Sequence, residues 1–184
     1  MAANDLTTLA EAKQYIGISG TGDDGLLQAL ITRLSEWIQT YLSLDILAAD
    51  RAEVRDGHGS NTIVVAYYPI ISVASVKING VSIPASSGYA VSGYYFNDFT
   101  IKLRGYSFSP GEGNVELAYR AGYEQVPADL SQACLELLAL RYKERDRFGI
   151  SSKNLGPEQV QFVTDAIPKS VMAIFNNYFR RIPL

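Results

Sequence analysis

The stretch Asp23–Leu42, DDGLLQALITRLSEWIQTYL, decides the fold class. Leu26, Leu27, Leu30, Ile31, Leu34, Trp37, Ile38, Tyr41 and Leu42 recur at the 3.6-residue period over more than four turns, and Asp23 or Asp24 can cap the start. A stripe this wide on a helix covers a hydrophobic core, the alternative being an apolar face that awaits a partner. The spacing therefore predicts a core helix with Leu27, Leu30, Ile31, Leu34, Trp37 and Ile38 turned inward. If Trp37 is buried in this way, truncating it to alanine should cost about 3–5 kcal/mol.

Working outward, Thr8 with Glu11 forms a capping-box pattern ahead of Leu9, Ala12, Lys13 and Ile16, predicting a short helix that stops at Gly17. From about Ala52 the period changes from 3.6 to 2. Thr62–Tyr68, Ser72–Ile78, Val81–Ile83, Phe99–Leu103 and Val115–Tyr119 are strand candidates, with Tyr89–Phe96 a less regular one and Asn79-Gly80 a two-residue hairpin turn. Helical spacing returns after Pro127, where Leu130, Ala133, Cys134, Leu137, Leu138 and Tyr142 share a face; Leu137 and Leu138 are the natural core partners of the second helix. Gly149–Gly156 reads as a polar linker, and Val171, Ile174, Phe175, Tyr178 and Phe179 as a last short helix ending in Arg180 and Arg181.

The expected fold is α+β: a small α-helical bundle with an antiparallel β region inserted between the second and third long helices, and a C-terminal helical arm. Its parts are residues 1–50, the N-terminal helices; 51–122, the inserted β region; 123–148, the third core helix; and 149–184, the linker and arm.

Composition narrows the function. With 47% hydrophobic and 19% charged residues the chain is a folded protein, and no apolar run is long enough for a membrane span. Met1–Leu9 has neither a basic start nor an apolar stretch, so no secretory leader is expected. A net charge of −3 argues against wrapping DNA through its phosphates, and the acid is concentrated early: residues 1–50 carry two basic and seven acidic groups. One cysteine, Cys134, and one histidine, His58, exclude an internal disulfide and the usual zinc-ligand sets.

Catalytic apparatus is not apparent. Asp56-Gly57-His58-Gly59 brings a carboxylate and the histidine onto flexible backbone, but without an orienting partner it reads as a solvated turn. No GxSxG, P-loop, GxGxxG or HExxH pattern occurs. Neither a catalytic residue nor a metal or cofactor is therefore expected. Tyr67, Tyr68, Tyr89, Tyr94, Tyr95 and Tyr106 suit sheet surface, protein contact or ligand stacking. The basic run Arg141–Arg147 is interleaved with Glu144 and Asp146, which favours a salt-bridged solvent face over phosphate binding. The apolar arm must dock somewhere, either on its own helices or in a groove of another protein.

The ordered set of segments LAEAKQYIG (9–17), DDGLLQALI (23–31), YPIISVASV (68–76) followed by Asn79-Gly80, GNVELAYRAGY (113–123) and VPADL (126–130) resembles the head-to-tail connector, or adaptor, proteins of tailed bacteriophages and gene transfer agents. The resemblance implies a structural virion protein of the neck, assembled in the host cytoplasm into a ring of about twelve copies matching the portal. Its implied partners are further copies of itself, the portal protein, a tail-side neck protein (stopper or tail terminator), and double-stranded DNA passing through the channel without sequence-specific binding. On this footing Ile174, Phe175, Tyr178, Phe179, Arg180 and Arg181 are expected to dock on the portal or a neighbouring subunit, and Tyr67, Tyr89, Tyr94, Tyr95 and Tyr106 to meet the tail side or adjacent subunits. An acidic helical segment would let DNA slide past without holding it. The rival readings are another neck or tail completion protein, and a carbohydrate-binding or hydrolytic β module with Asp56, His58 and the tyrosines as its site.

Overall fold

The computed structural model describes residues 4–145, 152–155, 158–161 and 167–179. The fold is α+β, and the chain divides into two compact units, residues 1–44 with 126–184 and residues 45–125.

The first unit is helical. Helix α1 (Leu9–Ile16) starts with the expected capping box: the Thr8 hydroxyl accepts from the Glu11 amide at 3.1 Å, and the Glu11 carboxylate accepts from the Thr8 amide at 2.9 Å. That amide, together with the Thr7 hydroxyl, holds the Glu11 carboxyl below the usual carboxylate range. Gly17, at φ 83°, closes the helix in the left-handed conformation that glycine adopts without a Cβ clash.

Helix α2 (Asp24–Leu42) packs on α3 (Ala128–Glu144), and α1 covers both. Ala12, Leu27, Ile31, Leu135 and Leu138 form a buried cluster, with Leu9, Ile16, Leu30, Leu34 and Tyr142 packed around it. The face that α2 buries is Leu27, Ile31, Ser35, Ile38 and Leu42, narrower than its apolar stripe. Leu30 and Leu34 are half-buried, and Trp37, expected in the core, is 39% exposed. Ser35 takes the central place instead. It is 1% exposed, its hydroxyl accepts from the Leu6 amide at 2.9 Å, and its small side chain lets Cys134 approach to 3.9 Å.

Helix α4 (Lys169–Tyr178) packs on α3. Val171 and Phe175 are fully buried, the Ser170 hydroxyl donates to Glu136 at 2.7 Å, and the Tyr178 hydroxyl donates to Asp129 at 2.5 Å. Part of the stretch expected as a linker is paired backbone: strands β8 (Ser152–Leu155) and β9 (Glu158–Gln161) form an antiparallel hairpin, Ser152 opposite Gln161. No helix among the described residues is long and apolar enough to cross a membrane.

The second unit is antiparallel β. One sheet has the order β1-β7-β3-β4, from Ala49–Gly57, Gly111–Ala121, Ile70–Ile78 and Val81–Ile83; the other has the order β2-β6-β5, from Thr62–Val64, Thr100–Arg104 and Gly93–Phe96. The predicted Asn79-Gly80 turn joins β3 to β4 with both residues at positive φ, 52° and 76°, as a primed two-residue turn requires. The sheets enclose one core of Val65, Ile70, Val76, Ile78, Ile83, Tyr94, Ile101, Leu103, Phe108, Val115, Leu117, Tyr119 and Ala121. Strand β1 was not among the sequence-predicted strands. Its inward residues are Arg51, Glu53 and Arg55, which carry no apolar alternation; they are held by ion pairs of Arg51 to Asp45 (2.9 Å) and Arg55 to Glu53 (2.8 Å), and by Arg51 stacking 4.1 Å above the Tyr67 ring.

Candidate interaction surfaces

In the β unit, the outer face of the sheet β2-β6-β5 is built by alternation on β6. Lys102 and Arg104 project to one side, with Tyr95 directly opposite Lys102 on β5, while Ile101 and Leu103 turn into the core. The Arg104 guanidinium lies 4.7 Å from the Tyr89 ring centroid and 5.0 Å from that of Tyr95, and donates to the Gly88 carbonyl at 2.7 Å. Asn61, Tyr89, Tyr95, Leu103, Arg104, Tyr106 and neighbouring backbone line an open cleft of about 540 Å³. Tyr89 is 92% exposed, and Tyr95 and Tyr106 are also exposed. Exposed tyrosines around an arginine have the composition of protein-binding hot spots.

Three of the five tyrosines expected to meet the tail side or adjacent subunits thus share one surface. The other two do not. Tyr94 is buried in the core and its hydroxyl donates to the Val73 carbonyl at 3.1 Å, so the period-2 register that exposes Tyr95 removes Tyr94 from contact with a neighbour. Tyr67 is half-buried under Arg51. Sequence reasoning missed Lys102 and Arg104, for which the available signal was two cations at i and i+2 of a strand with no acid between them. The Asp56 carboxylate accepts from the Gly113 amide at 2.6 Å and His58 is exposed, an arrangement that stabilises a turn. Among the described residues no group of three His, Cys, Asp or Glu side chains could hold a metal ion.

In the helical unit the arm residues meet α2. Phe175 lies 5.5 Å from Tyr41 and 6.3 Å from Trp37 between ring centroids, Phe179 lies 5.6 Å from Tyr41, and Trp37 stacks on Tyr41 at 5.2 Å. Of the expected docking residues, Phe175 is consumed inside its own unit, Ile174 and Tyr178 are half-buried, and Phe179 is 37% exposed. Arg180 and Arg181 lie outside the described residues. A second groove, about 460 Å³, is floored by Leu30, Leu34, Trp37 and Leu137 and flanked by Arg33 and Arg141.

The family model described as "Head completion protein" matches residues 5–182. The chain belongs to the head completion protein family. No curated protein matches it. Three solved structures share the fold of this head completion protein: the neck of an empty gene transfer agent particle computed with C6 symmetry (TM-score 0.60, 18% identity, covering 97% of this chain and 92% of that one), the virion of a native gene transfer agent particle (0.60, 16%, 100% and 97%), and the neck of a native particle computed with C12 symmetry (0.59, 18%, 100% and 98%). Membership assigns this chain a structural role in head completion.

Proposed function

We propose that this head completion protein is a structural component of the virion neck that acts as a head-to-tail connector. Twelve copies form a ring on the portal, the far face of the ring receives a stopper or tail terminator, and the genome passes through the channel without sequence-specific contact. The observation that carries this reading is the family match over residues 5–182. It is supported by the neck and virion origin of the structures that share the fold, one of them computed with C12 symmetry.

A closed ring needs two different sticky patches on each chain, because each contact is heterologous. The cleft of Tyr89, Tyr95, Tyr106 and Arg104 is suited to one such contact. Among the described residues of the arm, Phe179 is the exposed aromatic, and we assign it, with Arg180 and Arg181, to the portal. The role requires no reacting group and no cofactor.

The test is to mix the purified chain with the portal protein encoded beside it and examine the product by electron microscopy and native mass spectrometry. A ring stacked on the portal, one copy per portal subunit, is expected. Absence of association between the folded proteins would overturn the connector reading and move the protein lower in the neck or tail.

A further inference from the structure

The β unit holds six cations, and four of them are neutralised locally: Arg51 by Asp45 at 2.9 Å, Arg55 by Glu53 at 2.8 Å, Lys77 by Glu116 at 3.4 Å and Arg120 by Asp50 at 3.4 Å. Lys102 and Arg104 are the two with no carboxylate among the described residues, and they lie side by side on the tyrosine-lined face. The other sheet carries the opposite imbalance. Strand β1 is bulged between Arg55 and Gly57, where the register jumps from Val115 to Gly111, so Asp56 lies opposite the first residues of β7, which carry Glu112. Asp56 is fixed there by the Gly113 amide, Glu112 is exposed, and neither has a cation within ion-pair distance. Like charges close together across strands are destabilising unless something neutralises them.

Resting on the ring reading above, we infer that the Lys102–Arg104 face of one copy receives the Asp56–Glu112 bulge of the next. The occupant is a second copy because one unit presents both complementary charge patches, on different sheets, as a heterologous contact requires. Two cations are too few to bind duplex DNA, whose affinity is built from many phosphate contacts. The three exposed tyrosines instead provide the rigid, amphipathic area of a protein contact.

Charge reversal in the full-length chain tests the pairing. K102E/R104E makes both patches acidic, and D56K/E112K makes both basic. Each variant alone should form at least about tenfold fewer rings on the portal than the parent chain. Mixed in equal amounts they should recover the rings, since copies alternating around an even-membered ring restore every pair. The single changes K102E and E112K alter side chains with no hydrogen bond or ion pair among the described residues, and should behave the same way with smaller losses if a double variant misfolds. Wild-type yields of rings from either charge-reversed variant alone would overturn this contact and leave the connector reading standing. Loss without recovery on mixing would also overturn it and give the patches to another protein. Intact rings with weakened, salt-sensitive binding to duplex DNA in K102E/R104E would transfer the face to the genome. If the parent chain itself forms no ring, both readings fail together.

Discussion

The Tyr119 hydroxyl on β7 donates to the Glu53 carboxylate on β1, and the same hydroxyl accepts from the Tyr67 amide at 3.2 Å. Glu53 in turn accepts from the Ala66 amide at 3.0 Å and pairs with Arg55 at 2.8 Å, with its side chain only 8% exposed. Burial, then the Glu53 contact, raises the Tyr119 pKa well above that of an ordinary phenol. Removing this hydroxyl leaves a buried carboxylate short of a donor. Tyr119→Phe should therefore cost about 1–3 kcal/mol despite conserving volume, read as a lower urea midpoint at unchanged slope.

The two aromatics that meet across α2 and α4 should respond differently. Phe175 is fully buried, so Phe175→Ala should cost about 3–5 kcal/mol, whereas Trp37→Ala, at a ring 39% exposed, should cost about 1–2 kcal/mol. Equal losses on thermal or urea unfolding would mean that Trp37 carries packing which its exposure conceals.

Much of this was legible in the sequence. The capping box at Thr8, the glycine stop at Gly17, the Asn79-Gly80 turn and the helix after Pro168 all depend on local chemistry, and local chemistry is written in neighbouring residues. What escaped reading depends on contacts distant in the chain. The burial of Ser35 in place of Trp37 follows from a contact with Cys134, 99 residues away. Strand β1 was hidden because its inward side is charged: Arg55 pairs with Glu53 within the strand, Arg51 pairs with Asp45 just before it, and Glu53 is held by the distant Tyr119 hydroxyl. The cleft followed the same rule: Tyr89, Tyr95 and Tyr106 stood out as residue types, but their convergence on Arg104 required the register of β5 on β6.

Cys134 is fully buried, and burial pushes its thiol up to about 11. The thiol should resist alkylation in the native protein at pH 8 and react at once in denaturant. Because the folded value lies above the reference value of 9.0, the stabilising contribution is intact below pH 9 and is lost as pH rises from 9 toward 11. Cys134→Ala should make the loss of stability between pH 9 and 10 shallower, the remaining slope coming in part from Tyr119, whose raised value works in the same direction.

Gly57 closes the bulged end of β1. A Cβ there would stand 1.9 Å from the Ser109 carbonyl oxygen and 3.0 Å from the Asn114 side chain, which accepts from the Gly57 amide at 2.9 Å. Gly57→Ala should cost about 2–3 kcal/mol through forced backbone movement. Gly88→Ala, in open space at negative φ, should be close to neutral when measured by the same unfolding titration.

Ending the chain after Tyr178 removes residues 179–184, Phe179, Arg180 and Arg181 among them, while keeping the buried Val171 and Phe175. This truncated protein should melt within about 1 kcal/mol of the full chain yet fail to decorate portal rings. Normal decoration would show that the portal contact lies elsewhere.

The entry and exit of the β unit are fastened to each other: Ala48 donates to the Tyr123 carbonyl at 2.9 Å, and Tyr123 donates to the Ile46 carbonyl at 2.8 Å. A folded insert whose two ends meet imposes almost no spacing demand on the chain that hosts it. The helices therefore form a chassis, and residues 45–125 a cassette that can be lengthened, recoded or exchanged at a single junction. Grafting another β cassette between Leu44 and Val126 would change the surface this protein presents without redesigning a single helix.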